Sequence, residues 1–296
     1  MPGHKRNKAL LGIELPTTIW ISRKYDGFDD LHHADGILKE EQERAARVFG
    51  AEESHFLVNG STAGILSAVM GCTHRGDKIL VARHCHKSIY HAIYMNGLVP
   101  RYVYPEFDIS MHMNGEISKE DVAKALAAES DIKAVVIVSP NYDGVVSDVK
   151  GIAEVAHSYR IPLIVDEAHG PHFGFHPAFP GRANDLGADV VINSLHKTLP
   201  SLTQTAILHI NGKIVNRRRI KKYLDMLQSS SPSYIFMASL DACVDFVDGK
   251  CENAFELYVE RLQKFREELE PLQHLQILRT EHYDISKVVI STANAN

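Results

Sequence analysis

The sequence predicts an α/β domain: a three-layer sandwich with a mainly parallel sheet held between helices. Two observations carry this. Short apolar runs alternate with longer amphipathic ones along residues 62–210, and several of the short runs are uninterrupted Val/Ile/Leu stretches. Such runs suit strands buried on both faces, as in a parallel sheet, and strand–helix alternation on this scale builds layers.

In chain order, residues 62–72 read as a helix, 78–82 as a strand, 88–96 as a helix and 99–104 as a strand. Residues 119–129 read as a helix, with Ser118 and Asp121 spaced like a capping box at its start. A strand at 134–139, a helix at 150–158 and strands at 162–166, 190–194 and 205–210 follow. From Gly212 the pattern turns almost wholly helical, at 213–228, 233–247 and 251–269, before a strand-like run at 287–291. No internal repeat, low-complexity tract or flexible linker interrupts the chain.

The bulk properties exclude several classes. The chain has 296 residues, enough for a large core, with 45% hydrophobic and 23% charged residues and a net charge of −5. That charge speaks against a general nucleic-acid binder. The basic run Arg217-Arg218-Arg219-Ile220-Lys221-Lys222 falls inside a helical pattern and reads as a solvated face. Cys72, Cys85, Cys243 and Cys251 form no Cys-x-x-Cys pair and read as reduced thiols of a cytoplasmic protein. No apolar N-terminal stretch resembles a signal peptide, and no aliphatic run approaches the length of a bilayer span.

The chemistry sits at strand ends. Asp166, in Asp166-Glu167-Ala168-His169-Gly170, closes one predicted strand, and Lys197, in Ser194-Leu195-His196-Lys197, follows a later one. Ligands of open α/β sheets bind beyond the carboxyl ends of strands, so both belong to one rim. A lysine and an aspartate so placed suit pyridoxal phosphate (PLP): the amine can form a Schiff base, and the carboxylate can pair with the pyridinium nitrogen. Alone, a buried aspartate at a strand end is as often a loop cap, and a lysine is most often a surface charge. Upstream, Asn59-Gly60-Ser61-Thr62-Ala63-Gly64 leads into a helix. Free N–H groups and the positive dipole end there favour an anion such as the cofactor's phosphate, and Ser61 and Thr62 add hydroxyls. Histidine pairs such as His172 and His176 have helical metal-site spacing, but Pro171, Gly174 and Pro177 oppose a helix there, so no metal is expected.

Six motifs in order carry a family resemblance: Met1-Pro2-Gly3-His4-Lys5, Asp29-Asp30-Leu31-His32-His33, Asn59 to Gly64, His84-Cys85-His86-Lys87-Ser88, Asp166 to Gly170 and Ser194 to Lys197. From the first residue to about residues 231–234 the chain resembles the Orn/Lys/Arg decarboxylases, PLP enzymes of the aspartate-aminotransferase fold. The resemblance implies a PLP-dependent transferase-like large domain over residues 1–285, with residues 1–50 leading into it. Residues 286–296 would then open a shortened C-terminal domain. It implies Lys197, Asp166 and His86 as the catalytic set, with His86 stacked on the cofactor ring. Ser61, Thr62, Ala63, Ser194 and His196 would hold the cofactor phosphate, and His169 would lie near the ring edge.

The activity it implies is decarboxylation of lysine, ornithine or arginine to the amine, with the three substrates left open. Another PLP reaction on the same fold, such as transamination or an elimination, remains the alternative, as does a non-catalytic PLP-binding fragment. The resemblance further implies a homodimer with a shared active site, residues 201–205 lying near its interface, and weak decarboxylation by a form of this length.

Overall fold

The chain is described by a computed structural model that covers residues 29–109, 111–272, 274–278 and 280–292. The motif Met1-Pro2-Gly3-His4-Lys5 lies outside the described residues. The elements are α1 (Ile37–Val48), β1 (Glu53–Leu57), α2 (Gly60–Cys72), β2 (Lys78–Ala82), α3 (Lys87–Asn96), β3 (Val99–Val103), β4 (Phe107–Asp108) and β5 (Met113–Asn114). They continue with α4 (Lys119–Ala128), β6 (Ile132–Val138), α5 (Val149–Ser158), β7 (Leu163–Asp166), β8 (Val190–Asn193), α6 (Leu195–Thr198) and β9 (Ala206–Ile210). Last come α7 (Arg217–Leu227), α8 (Tyr234–Val247), α9 (Glu252–Leu269), β10 (Gln276–Leu278) and β11 (Val289–Ser291).

Seven strands form one sheet in the order β1-β9-β8-β7-β6-β2-β3. The pairs β2–β3, β2–β6, β6–β7 and β7–β8 are parallel, whereas β9 runs antiparallel to both β1 and β8. All six main strands read from the sequence enter this sheet. The seventh, β1, and the helix α1 before it were not anticipated. Glu53-Ser54-His55-Phe56-Leu57 carries too much polar character to stand out as an apolar run, because β1 is an edge strand.

Strand periodicity explains the sandwich. In β6, Ala134 and Val136 join a core with residues of α2, α3 and α7, whereas Val135 and Ile137 join one with residues of α4 and α5. In β8, Ile192 joins the first and Val191 the second. Alternate side chains point to opposite faces, so an uninterrupted aliphatic strand needs helices on both sides. A third core packs α1, α8 and α9 against Phe56 and Ile207 of the β1–β9 end. Ser118 accepts from the Asp121 N–H, so the expected cap at the head of α4 forms.

Two glycines set how close α2 lies. A Cβ on Gly64 would come within 2.6 Å of Leu57 Cδ1, and one on Gly71 within 2.9 Å of Ile220 Cα in α7. The Asp29 to His33 motif anchors the entry to the domain. Asp29 Oδ2 accepts from the Gly36 and Leu38 N–H groups at 3.0 and 2.8 Å, and the Tyr234 hydroxyl donates to the Asp29 carbonyl at 2.6 Å. No helix among the described residues is long and apolar enough to cross a membrane.

Topology also fixes the position of the site. Strands β1, β2, β7 and β8 point the same way, so their carboxyl ends share a rim with the amino end of the reversed β9. The segments leaving that rim are the head of α2, the head of α3, the loop after Asp166, helix α6 with Lys197, and the 199–205 loop.

Candidate active site

Asp166 ends β7 and is 3% exposed, its Oδ1 accepting from the Ala168 N–H at 3.2 Å. Burial holds its carboxyl above the ordinary aspartate value, against the opposing pull of Lys197, the Ala168 N–H and His86. Lys197 lies in the single turn α6, one residue before its end. Burial pushes its ammonium below the ordinary lysine value and Asp166 opposes that, so the free amine is favoured relative to a solvated lysine. The Lys197 Nζ lies 3.1 Å from His169 Nε2.

His86 caps α3, its Nδ1 accepting from the Ser88 N–H at 3.2 Å and lying 2.8 Å from the Ser88 hydroxyl. Burial lowers its basicity while Asp166 raises it, and Lys197 lowers it further. His86 therefore shares the electrostatic neighbourhood of Asp166 and Lys197.

At the head of α2, Gly60 has φ +75°, and Asn59 makes no side-chain cap bond, so the leading N–H groups are not claimed by a cap. Ser61 and Thr62 lie inside the first turn rather than capping it, and Ala63 is buried. Ser194 is fully buried, and its hydroxyl has no partner among the described residues. His196 is fixed by its Nδ1, 2.9 Å from the Thr205 carbonyl oxygen. Uncapped helix N–H groups at the head of α2 and a buried hydroxyl without a partner at Ser194 are each the kind of group a bound phosphate would complete. A buried carboxylate and a partly desolvated lysine on the same rim match the remaining needs of PLP, so the residues present fit that cofactor.

The structure adds residues that the sequence reading missed. A cleft of about 460 Å³ is lined by Tyr142, Asp143, His169, Lys197, Lys287 and residues 288–290. In the sequence Lys287 opens a strand-like run, and nothing local marks its entry into this cleft. Its Nζ lies 3.5 Å from His169 Nδ1. Beneath the rim, Glu167 is buried and accepts from the Ala183 N–H at 2.9 Å and from Asn193 Nδ2 at 3.0 Å. In the 201–205 run, the Ser201 and Thr205 hydroxyls meet at 2.6 Å inside the fold, so Thr203 is its exposed hydroxyl.

Comparison with known proteins decides the family. The family model described as Orn/Lys/Arg decarboxylase, major domain, matches residues 15–291. The chain belongs to that family. It is 46% identical over 222 residues to the uncharacterized protein YaaO of Bacillus subtilis, covering 75% of this chain and 46% of that protein. It is 37% identical over 271 residues to an arginine decarboxylase of Bacillus cereus, covering 89% of this chain and 59% of the relative. Among solved structures, lysine decarboxylase A from Pseudomonas aeruginosa superposes with a TM-score of 0.75 at 28% identity. That match covers 84% of this chain and 36% of the other. The fold is thus the one the motifs implied, and the chain spans about half the length of the curated relatives it matches.

Proposed function

We propose that this chain forms the PLP-binding part of a decarboxylase acting on a basic amino acid, releasing carbon dioxide and the corresponding amine. The observation that carries the reading is the convergence of Asp166, His86 and Lys197 at one rim, with the unsatisfied Ser194 hydroxyl in the residue that heads the turn bearing Lys197. PLP, when bound, supplies the electron sink for loss of the carboxylate. In this reading the Asp166 carboxylate holds a proton on the ring nitrogen, and Lys197, favoured as the free amine, is the group that bonds the cofactor aldehyde. His86 would contact the cofactor ring and orient it. Ser61, Thr62, Ala63, Ser194 and His196 hold the phosphate, and His169 stands at the ring edge beside Lys197.

Arginine is the first substrate to test, because the arginine decarboxylases of Bacillus cereus and Bacillus subtilis are 37% and 36% identical to this chain. Lysine and ornithine follow it. We place residues 1–285 in the cofactor-binding large domain and residues 286–296 at the opening of a C-terminal one. The working unit in this reading is a cytoplasmic homodimer with a shared site, with Thr203 near the interface. The test is product analysis with each basic amino acid: amine and carbon dioxide in equal amounts support decarboxylation, whereas a keto acid would move the reading to transamination.

A further inference from the structure

The segment bearing Lys287 is clamped rather than loosely laid over the cleft. The Val146 N–H donates to the His282 carbonyl at 3.0 Å, and the Asp284 N–H to the Gly144 carbonyl at 2.8 Å. Arg266, only 7% exposed, donates through Nη2 to the carbonyls of Ile285 and Lys287 at 2.7 and 2.9 Å. Gly144 has φ +98°, and a Cβ there would lie 2.6 Å from Lys287 Cγ. The bare glycine lets the lysine stem pass on its way to His169.

His169 then stands between two lysines, with Nε2 3.1 Å from Lys197 Nζ and Nδ1 3.5 Å from Lys287 Nζ. A neutral imidazole offers one N–H and one lone pair, so only one of the two lysines can donate to it as an ammonium. Burial and both lysine charges push the His169 ring down to about 3, so it is neutral in any ordinary buffer. Two carboxylates, Asp284 and Asp143, favour charge on Lys287 against its burial; on Lys197, burial and Lys287 oppose charge while Asp166 favours it. Other titratable groups nearby are Tyr142, whose ring centroid lies 5.7 Å from that of His169, His86, which acts on His169 from the head of α3, and Lys87 and His91, which act on His86. Asp284 and Asp143 thus favour an ammonium at Lys287.

We propose that Lys287 is a positioning residue: its ammonium donates to Nδ1 of His169, fixes the ring proton on Nε2 and aims that N–H at the Lys197 nitrogen, which is thereby held as a free amine. The proposal rests on the reading of Lys197 as the carbonyl-binding lysine. It also supplies a return path. When the Lys197 nitrogen gains a proton, the Nε2–H bond breaks toward it while Nδ1 takes a proton from Lys287. One positive charge passes from Lys287 to Lys197, and no proton is exchanged with water.

The test reads ring tautomer and lysine reactivity in the full 296-residue chain prepared without cofactor. In ¹⁵N-histidine-labelled protein, with the His169 signals assigned by loss in His169→Gln, the expected state is the Nε2–H tautomer. An Nδ1–H ring in the unmodified chain would overturn the proposal without any Lys287 variant having to fold. Modification of Lys197 by an amine-selective reagent, followed across pH by peptide mass spectrometry, gives its titration midpoint. In folded Lys287→Met the midpoint should rise by about one pH unit, a roughly tenfold loss of free amine at a given pH. Lys287→Arg, which keeps a charged donor, should retain the original midpoint. An unchanged midpoint in Lys287→Met contradicts the proposal. Failure of the cofactor reading would show separately, as absence of a pyridoxyl adduct on Lys197 in the unmodified chain.

Discussion

His172 and Asp284, 112 residues apart in sequence, meet at 3.1 Å through Nε2 and Oδ1, with side chains 2% and 0% exposed. The other ring nitrogen of His172 lies 3.1 Å from the hydroxyl of Thr198, the residue after Lys197. Asp284 also accepts from the Ser286 hydroxyl and N–H at 2.6 and 2.8 Å. One buried carboxylate thus joins three things: the loop after Asp166, the turn bearing Lys197, and the segment bearing Lys287.

Replacing that carboxylate should loosen all three. Asp284→Ala is expected to cost about 1.5–3 kcal/mol, the range for a hydrogen bond to a charged group. Burial pushes the Asp284 carboxyl up, but His172 and Ser286 outweigh it and hold it below the ordinary 3.8. A depressed folded value means that this contribution is present above the ordinary carboxylate value and lost as pH falls through the depressed one. Urea unfolding should therefore separate Asp284→Ala from the parent near neutral pH, with the gap closing in strong acid.

Glu167 behaves in the opposite sense. Burial pushes its carboxyl up to about 8, against the Asn193 amide and the Ala183 N–H. With the folded value above the unfolded 4.5, its contribution to stability is full below 4.5 and is lost as pH rises through about 8. Glu167→Gln cannot ionise and should remove that slope. The check is the difference in unfolding midpoint between parent and variant across this range; parallel curves would show that Glu167 does not titrate there.

The fold was legible because buried strands write themselves as aliphatic runs: β2, β6, β7, β8 and β9 each carry one. The edge strand β1 did not, since its side chains alternate in burial, and the reversal of β9 leaves no local mark. Asp166 and Lys197 were legible because each sits at a strand end within a recognisable motif. Lys287 was not. It reaches the cleft through long-range ties from Arg266, His172 and Gly144, and no spacing in the sequence records such ties.

Asp166→Asn tests the ring-nitrogen role apart from the fold. The amide keeps the shape but cannot supply the negative charge that favours a protonated ring. On any basic amino acid the chain turns over, kcat should fall on the order of 100-fold, as when one oriented electrostatic partner is removed from an active site. Circular dichroism should remain that of the parent. Near-parental kcat would remove the role given to Asp166.

The most direct measurement is chemical. The purified chain, incubated with PLP, is reduced with borohydride and digested, and the pyridoxyl-bearing peptide is sequenced by mass spectrometry. The account predicts a single adduct on Lys197, lost in Lys197→Ala, with Lys287 unlabelled despite lying in the same cleft. An adduct on Lys287 or on a surface lysine, or none at all, would contradict it.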